Sequence, residues 1–315
     1  MTLTIRDLRP GDPLDAEAVA AVRRAALPFM IANGAGVAHE LASAHPAKRY
    51  RLLLAQTGDG RVVGTAQVGI AHDSAEPGAS FVNAYVHPDH RGRGAGTALL
   101  RTAEEHLLAQ GAVETYAWVM DEPGHRAFAE RHGYRAGRSA HFLRLDLGSA
   151  VLPPYPAELP PGVELRPGSA FVDDPRPLYE ADAAVSRDEP GDLPVELDDH
   201  EDWLSGVWHD PSLDKELTTV VLVGGEPAAF TAARTDGTGR YASGMTGTLA
   251  AHRGRGLAKL AKIDSLHRAV AAGCTEAFTG NDAENGPMLA INSWFGYEIC
   301  ATETRFTKRL EPTAR

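Results

Sequence analysis

Apolar and polar residues alternate along this chain in blocks whose period switches between two and about 3.6. Leu3–Arg6 reads as a strand, and Ala16–Ala26 carries its apolar residues at helical spacing. Arg51–Ala55 and Val62–Val68 are β-rich runs around Thr57-Gly58-Asp59-Gly60, which predicts a hairpin. Phe81–Val86 predicts a further strand. Thr97–Gln110 places Ala98, Leu99, Ala103 and Leu107 on one helical face, and Gly111 stands where a helix stops. Glu114–Met120 predicts a strand, Gly124–His132 a helix that ends in Gly133, and Tyr134–Leu147 closing strands.

The same plan then recurs. Val163–Arg166 predicts a strand. Leu217–Val223 and Ala228–Ala233 predict a hairpin around Gly224-Gly225, and Ser243–Leu249 another strand. Leu257–Ala272 predicts a helix, Thr275–Thr279 a strand, and Pro287–Phe295 a helix ending at Gly296. Between the halves, Gly148–Gly162 contains Pro153, Pro154, Pro156, Pro160 and Pro161. Proline restricts itself and its predecessor, so this segment predicts a stiff extended linker. The order implies two domains, 1–147 and 163–315, joined by linker 148–162.

A loop is repeated along with the elements. Arg91-Gly92-Arg93-Gly94-Ala95-Gly96 returns as Arg253-Gly254-Arg255-Gly256-Leu257-Ala258, and each copy follows a strand and opens a helix. The offset of 162 from Arg91 to Arg253 also separates Gly111 from Gly273, and Gly133-Tyr134 precedes Gly296-Tyr297 by 163. A period this long is a duplicated domain, because solenoid units run roughly 20–50 residues. The first turn of a helix leaves backbone N–H groups unpaired and carries partial positive charge. Glycine lets an anion approach those groups, so each loop predicts a phosphate cradle.

Composition narrows the class. A chain of 315 residues suits two domains of about 150 each. No apolar run approaches the roughly 18 residues of a membrane span, and the first residues lack a signal-peptide core. Cys274 and Cys300 are the two cysteines, too few for a disulfide framework, and no metal-ligand cluster surrounds them. These features predict a cytoplasmic protein that needs no metal and no membrane. The net charge of −11 disfavours nucleic acid, even with Arg-Gly-Arg-Gly present, and favours a cationic partner.

The loop, its strand and helix, and the later Gly-Tyr resemble the GCN5-related N-acetyltransferases, whose signature is Gln/Arg-x-x-Gly-x-Gly/Ala after the fourth strand. Both copies fit at every specified position, and the likeness covers the whole chain except the linker. The resemblance implies an α+β (α/β) fold of two tandem domains, each a mixed, mostly antiparallel twisted sheet flanked by helices. It also implies acetyl-CoA as co-substrate. Carried over by position, the first copy would contact it through Ala84, Tyr85 and Val86, then Arg91, Gly92, Arg93, Gly94, Ala95, Gly96 and Thr97. The second would use Thr246, Gly247 and Thr248, then Arg253, Gly254, Arg255, Gly256, Leu257, Ala258 and Lys259.

Two positions distinguish the halves under this resemblance. Many members carry a cofactor-contacting Asn eleven residues before the Gly of Gly-Tyr. That position is Asn285 in the second half and Glu122 in the first, where a carboxylate repels phosphate; this favours the C-terminal half as catalytic. The Tyr that often protonates the departing thiolate is replaced by Ala129 and Asn292, neither of them an acid, and Tyr241 is a substitute candidate. The acceptor would enter beneath the first two helices. In the second half that stretch holds Asp173, Asp174, Glu180, Asp182, Asp188, Glu189, Asp192, Glu196, Asp198, Asp199, Glu201 and Asp202, an acidic rim suited to a small primary amine that carries positive charge. Trp203 and Trp208 lie nearby as either cation walls or core anchors. Asp188 and Glu189 are the candidate bases for direct transfer in a ternary complex, with the N–H near Gly247–Thr248 stabilising the oxyanion. A CoA-binding regulatory protein without turnover is the alternative, kept open by the missing tyrosines. Monomer and homodimer are both compatible with the sequence.

Overall fold

The computed structural model describes residues 3–72, 74, 76–188, 197 and 199–311. They divide into two compact units. One comprises 1–140 together with 301–315, the other 141–300.

The first unit runs β1 (Leu3–Asp7), α1 (Pro13–Ala26), α2 (Gly34–Ala42), β2 (Arg51–Thr57), β3 (Val62–Ile70), β4 (Ala79–Val86), α3 (Ala95–Ala109), β5 (Glu114–Met120) and α4 (Pro123–Arg131). β1, β2, β3 and β4 pair in order, each antiparallel to the next. β4 and β5 are parallel, but only where Ala79–Phe81 face Glu114–Tyr116. Side-chain alternation explains why the continuous apolar run in β2 belongs to a central strand: Leu52 and Leu54 pack with Val19, Ala20 and Val37 of α1 and α2, while Leu53 and Ala55 pack with Leu99, Ala103 and Leu107 of α3. Each such leucine contributes roughly 1.5–3 kcal/mol when fully buried.

Then come β6 (Arg135–Asp146) and the second unit's β7 (Val163–Pro167), α5 (Arg176–Ser186), α6 (His200–Trp203), β8 (Thr219–Val223), β9 (Glu226–Thr235), β10 (Arg240–Thr248), α7 (Leu257–Ala271), β11 (Glu276–Asp282) and α8 (Gly286–Trp294), with β12 (Glu298–Arg309) last. The second sheet repeats the first: β7 to β10 are antiparallel, and β10 meets β11 in parallel over Arg240–Ser243 and Glu276–Thr279. Val220 and Leu222 pack with α5 and Trp203, and Val221 with Leu257, Leu260 and Ala261 of α7.

The closing strands are exchanged. β5 in the first unit pairs antiparallel with β12, Glu303–Arg309 against Met120–Glu114. In the second unit β11 neighbours β6, where Leu143, Leu145 and Leu147 enter a core with Ile263, Leu266 and Tyr241. Each sheet is thus closed by a strand from the other half of the sequence, which differs from two contiguous domains cut at the linker. β6 and β12 have the same length and similar patterns, exposed at the start and alternately buried toward the end, and alternation carries no information about which edge a strand joins. The proline-rich segment lies along the second unit. His267 Nε2 is 2.9 Å from the Pro153 carbonyl, and Tyr155 Oη donates to Asp264 at 2.9 Å.

Candidate functional site

Each glycine loop has the same backbone. Gly92 and Gly94 have φ of +73° and +89°, and Gly254 and Gly256 both have +74°, a left-handed region that favours glycine. Gly94 is the N-cap of α3 and Gly256 of α7. The first intrahelical bonds are Ala98 N to Gly94 O at 3.0 Å and Leu260 N to Gly256 O at 3.1 Å. The amides before them point along the helix axis toward the loop. At all four glycines the space a Cβ would occupy is open. Gly96 has a different role: a Cβ there would meet the Phe128 ring at 3.3 Å, so glycine lets α3 pass close to α4. The loops therefore fit an anionic, phosphate-bearing ligand.

Beyond Phe81 the first unit's parallel strands part. Trp118 N, which would continue the ladder, instead donates to Asn83 Oδ1 at 2.8 Å. The opening leads into a cavity of roughly 700 Å³ lined by Ala84, Tyr85 and Val86 of β4, the loop from His90 to Thr97, Trp118 to Met120 of β5, α4 and Glu303. The second unit's strands part beyond Ser243, and the β9–β10 register shifts between Ser243 and Thr246.

Comparison with known proteins agrees with this geometry. Residues 29–134 match the model of the Acetyltransferase (GNAT) family. A mycothiol acetyltransferase of Kineococcus radiotolerans is 30% identical over 254 residues, 79% of this chain and 78% of the relative. The chain belongs to the GNAT acetyltransferase family. Another mycothiol acetyltransferase, from a Nocardioides species, is 27% identical over 235 residues, 71% of this chain and 78% of that protein. Among solved structures, a tandem GNAT protein from the clavulanic acid biosynthesis pathway superposes with a TM-score of 0.75 at 22% identity, covering 99% of this chain and 100% of its own. A GCN5-related N-acetyltransferase from Sphaerobacter thermophilus gives 0.70 at 22% identity, covering 99% and 97%. Both share the tandem fold. The protein is thus an N-acetyltransferase, and GNAT acetyltransferases use acetyl-CoA as co-substrate. Among the described residues no helix is long and apolar enough to cross a membrane.

In this GNAT protein the residues expected to do chemistry in the second half are mostly committed elsewhere. Tyr241 is fully buried in the core beside Ser265 Oγ at 2.7 Å, and burial raises its hydroxyl to about 12. It has no surface at the cleft, so it is corrected from candidate acid to core residue. Asn292 is also fully buried and donates from Nδ2 to Asn281 Oδ1 at 2.6 Å, so it is corrected from catalytic candidate to interior residue. Asn285 caps α8 by accepting from Met288 N at 3.2 Å. Asp188 binds the loop's own Arg253 at 2.6 Å. Glu189, Asp192, Glu196 and Asp198 lie outside the described residues. Thr246 Oγ1 is 2.7 Å from Thr231 Oγ1, and the Lys259 ammonium lies 4.4 Å from the Trp294 ring centre. At Gly247 a Cβ would lie 2.1 Å from Val185 Cγ1, so α5 presses directly on the end of β10.

Much of the acidic rim is likewise structural. Asp174 accepts from Arg176 N at 3.2 Å, and Asp199 caps α6 through the Glu201 and Asp202 amides at 2.7 and 3.0 Å. Buried Asp182 accepts from Trp203 Nε1 at 2.8 Å, with burial raising its pKa. Trp203 and Trp208 are buried and stacked at 5.7 Å, which makes them core anchors rather than walls of an open cation site.

The first unit holds a cluster that pattern reading did not single out. Arg23 of α1 is buried, donates to Glu40 of α2 at 2.6 Å and to Gln67 at 2.8 Å. Burial works against its charge, but Glu40 more than offsets this and raises its pKa. Tyr50 also donates to Glu40, and burial pushes the Tyr85 hydroxyl to about 12. Glu303 is half-buried at the β12 end of the cavity, where burial raises its carboxyl to about 7. At the loop end His125 Nδ1 lies 3.4 Å from Glu122, and burial lowers its pKa. The clue to Arg23 and Glu40 was polarity at inward-facing positions of helices α1 and α2; Glu303, on a polar closing strand, carried none.

Proposed function

We propose that the protein transfers the acetyl group of acetyl-CoA to the primary amine of a small, positively charged molecule, and that the first unit's cavity is where transfer occurs. One observation carries this reading. A single cavity joins the glycine loop, the parted β4 and β5, and a carboxylate. The acetyl thioester supplies an activated acyl carbon. The loop amides and Arg91 and Arg93 hold the pyrophosphate, and the parted strands leave β4 backbone groups for the pantetheine arm. Glu303 and the protein's net charge of −11 attract a cation. The curated relatives named as mycothiol acetyltransferases support a small-molecule acceptor.

A second reading places transfer in the second unit. It is favoured by the register shift in β10, which interrupts the ladder beside the parted strands. Gly94→Val and Gly256→Val separate the two, since a β-branched residue is strained at either positive φ. The assay is thiol release from acetyl-CoA across a panel of amines, with calorimetry for CoA stoichiometry. Loss of turnover in Gly94→Val alone supports transfer in the first unit. Loss in Gly256→Val alone moves it to the second. Tight CoA binding without turnover on any amine makes the protein a CoA-binding regulator instead.

A further inference from the structure

We propose that Glu303, carried into the first unit by the last strand of the chain, is the base that deprotonates the acceptor amine, so that the N-terminal cleft is completed by the C-terminal end of the sequence. The inference rests on the reading that this cleft performs transfer.

Register fixes where the carboxylate lies. Glu303 pairs with Met120, the last residue of β5, at the end where β5 has parted from β4. Strand alternation fixes its face. Thr304 and Phe306 are buried, Phe306 in the core built on α3. Glu303 and Arg305 therefore face the opposite side, the side of α1 and α2. Arg305 confirms this by lying 4.4 Å over the Tyr116 ring, which in turn packs on Phe81 at 6.2 Å and through it toward Tyr50. An acceptor entering beneath α1 and α2 meets this side.

The charged groups around it are already assigned. Arg23 of α1 is ion-paired with Glu40 of α2. Tyr85 of β4 feels the negative charge of Glu303 and stays protonated, its hydroxyl held at about 12 chiefly by burial. His125 of α4 is influenced by Arg91 and Glu122, which places it at the phosphate end of the cavity. Among the described residues no ion pair holds Glu303 ionised, and burial raises its carboxyl to about 7, suited to exchanging protons at neutral pH.

The step balances as follows. The acceptor ammonium gives one proton to the Glu303 carboxylate. The free nitrogen attacks the thioester carbon, so that a C–N bond forms and the C–S bond breaks. The second nitrogen proton ends on the CoA sulfur, and Glu303 releases its own to solvent. Nothing is oxidised or reduced.

The test is Glu303→Gln in the full chain, with the amine found active in the panel. A general base contributes about 10²- to 10⁴-fold, so kcat/KM is expected to fall by that range while CoA affinity and Tm stay unchanged. The wild-type rise of kcat/KM through about pH 7 is expected to vanish. A purely structural role would leave that limb in place. If Glu303→Gln loses CoA binding, Glu303→Asp is measured: slowed turnover with the limb retained supports the assignment. Normal turnover with an intact limb in either variant overturns it. Failure of the underlying reading looks different, because Gly94→Val then leaves turnover intact.

Discussion

Strand exchange makes a prediction that no contiguous two-domain arrangement shares. Phe306 lies near the C-terminus, yet it is fully buried in the first unit's core with Leu99, Ala103 and Leu107, opposite Ala117 of β5. Truncating a buried phenylalanine to alanine costs about 3–5 kcal/mol from lost transfer energy and the cavity left behind. Domain stabilities are typically about 5–15 kcal/mol, so Phe306→Ala removes a large part of the first unit's margin. At about 1.4 kcal/mol per factor of ten, amides that exchange by unfolding of that unit should lose roughly 10²- to 4 × 10³-fold of their protection. The assay is native-state hydrogen exchange read by mass spectrometry. Protection should fall in α3 and β5, over residues 95–120, and hold in α7 and β11. Leu145→Ala is the reciprocal probe. Leu145 comes from the N-terminal half but is buried with Ile263 and Leu266, so about 2–5 kcal/mol should be lost from the second unit. The reasoning is refuted if Phe306→Ala loosens α7 and β11, or if Leu145→Ala loosens α3 and β5.

Two further outcomes follow from the second unit. Gly247→Ala should cost about 1–3 kcal/mol by overpacking against Val185, and Val185→Ala in the same chain should recover most of it; an urea midpoint equal to wild type for the single variant defeats the packing argument. Lys262 is buried with its ammonium nitrogen 2.9 Å from Ser243 Oγ, and burial lowers its pKa to about 7. The unfolded chain then binds more protons between about pH 7 and pH 10, so this lysine makes stability rise with pH across that window and contributes no slope below it. Urea midpoints at pH 7 and 9.5 should show a smaller rise in Lys262→Met than in wild type, and an equal rise contradicts the burial effect.

What the sequence made legible was local. Gly92, Gly94, Gly254 and Gly256 mark left-handed turns at helix starts, and nothing distant alters that, so the loops were readable from six residues each. Edge choice was not readable. Phe306 and Leu145 sit on strands with the same alternation, and their partners depend on contacts across more than a hundred positions. The polar residues divide in the same way. Asp199 was as visible as Asp188 in the acidic stretch, but only the fold reveals that one caps a helix and the other holds Arg253. Glu303 gave no signal as a single carboxylate on a closing strand. Its character comes from burial at a point where two other strands have parted.

The duplicated loop gives both units the same glycine-opened helix start, while the surroundings of the two differ. In the first unit the strand end beyond the cradle opens into a cavity with a raised-pKa carboxylate. In the second, Val185 lies against the equivalent strand position at Gly247, and one loop arginine is held by Asp188. Tyr85 and Gly247 occupy matching positions, and the change of side chain accompanies a change in what the first helix can press against. An aromatic side chain occupies the first position, whereas glycine at the second lets Val185 of α5 close on the strand. The difference between the halves thus lies in side-chain volume at one strand position as much as in any charged residue.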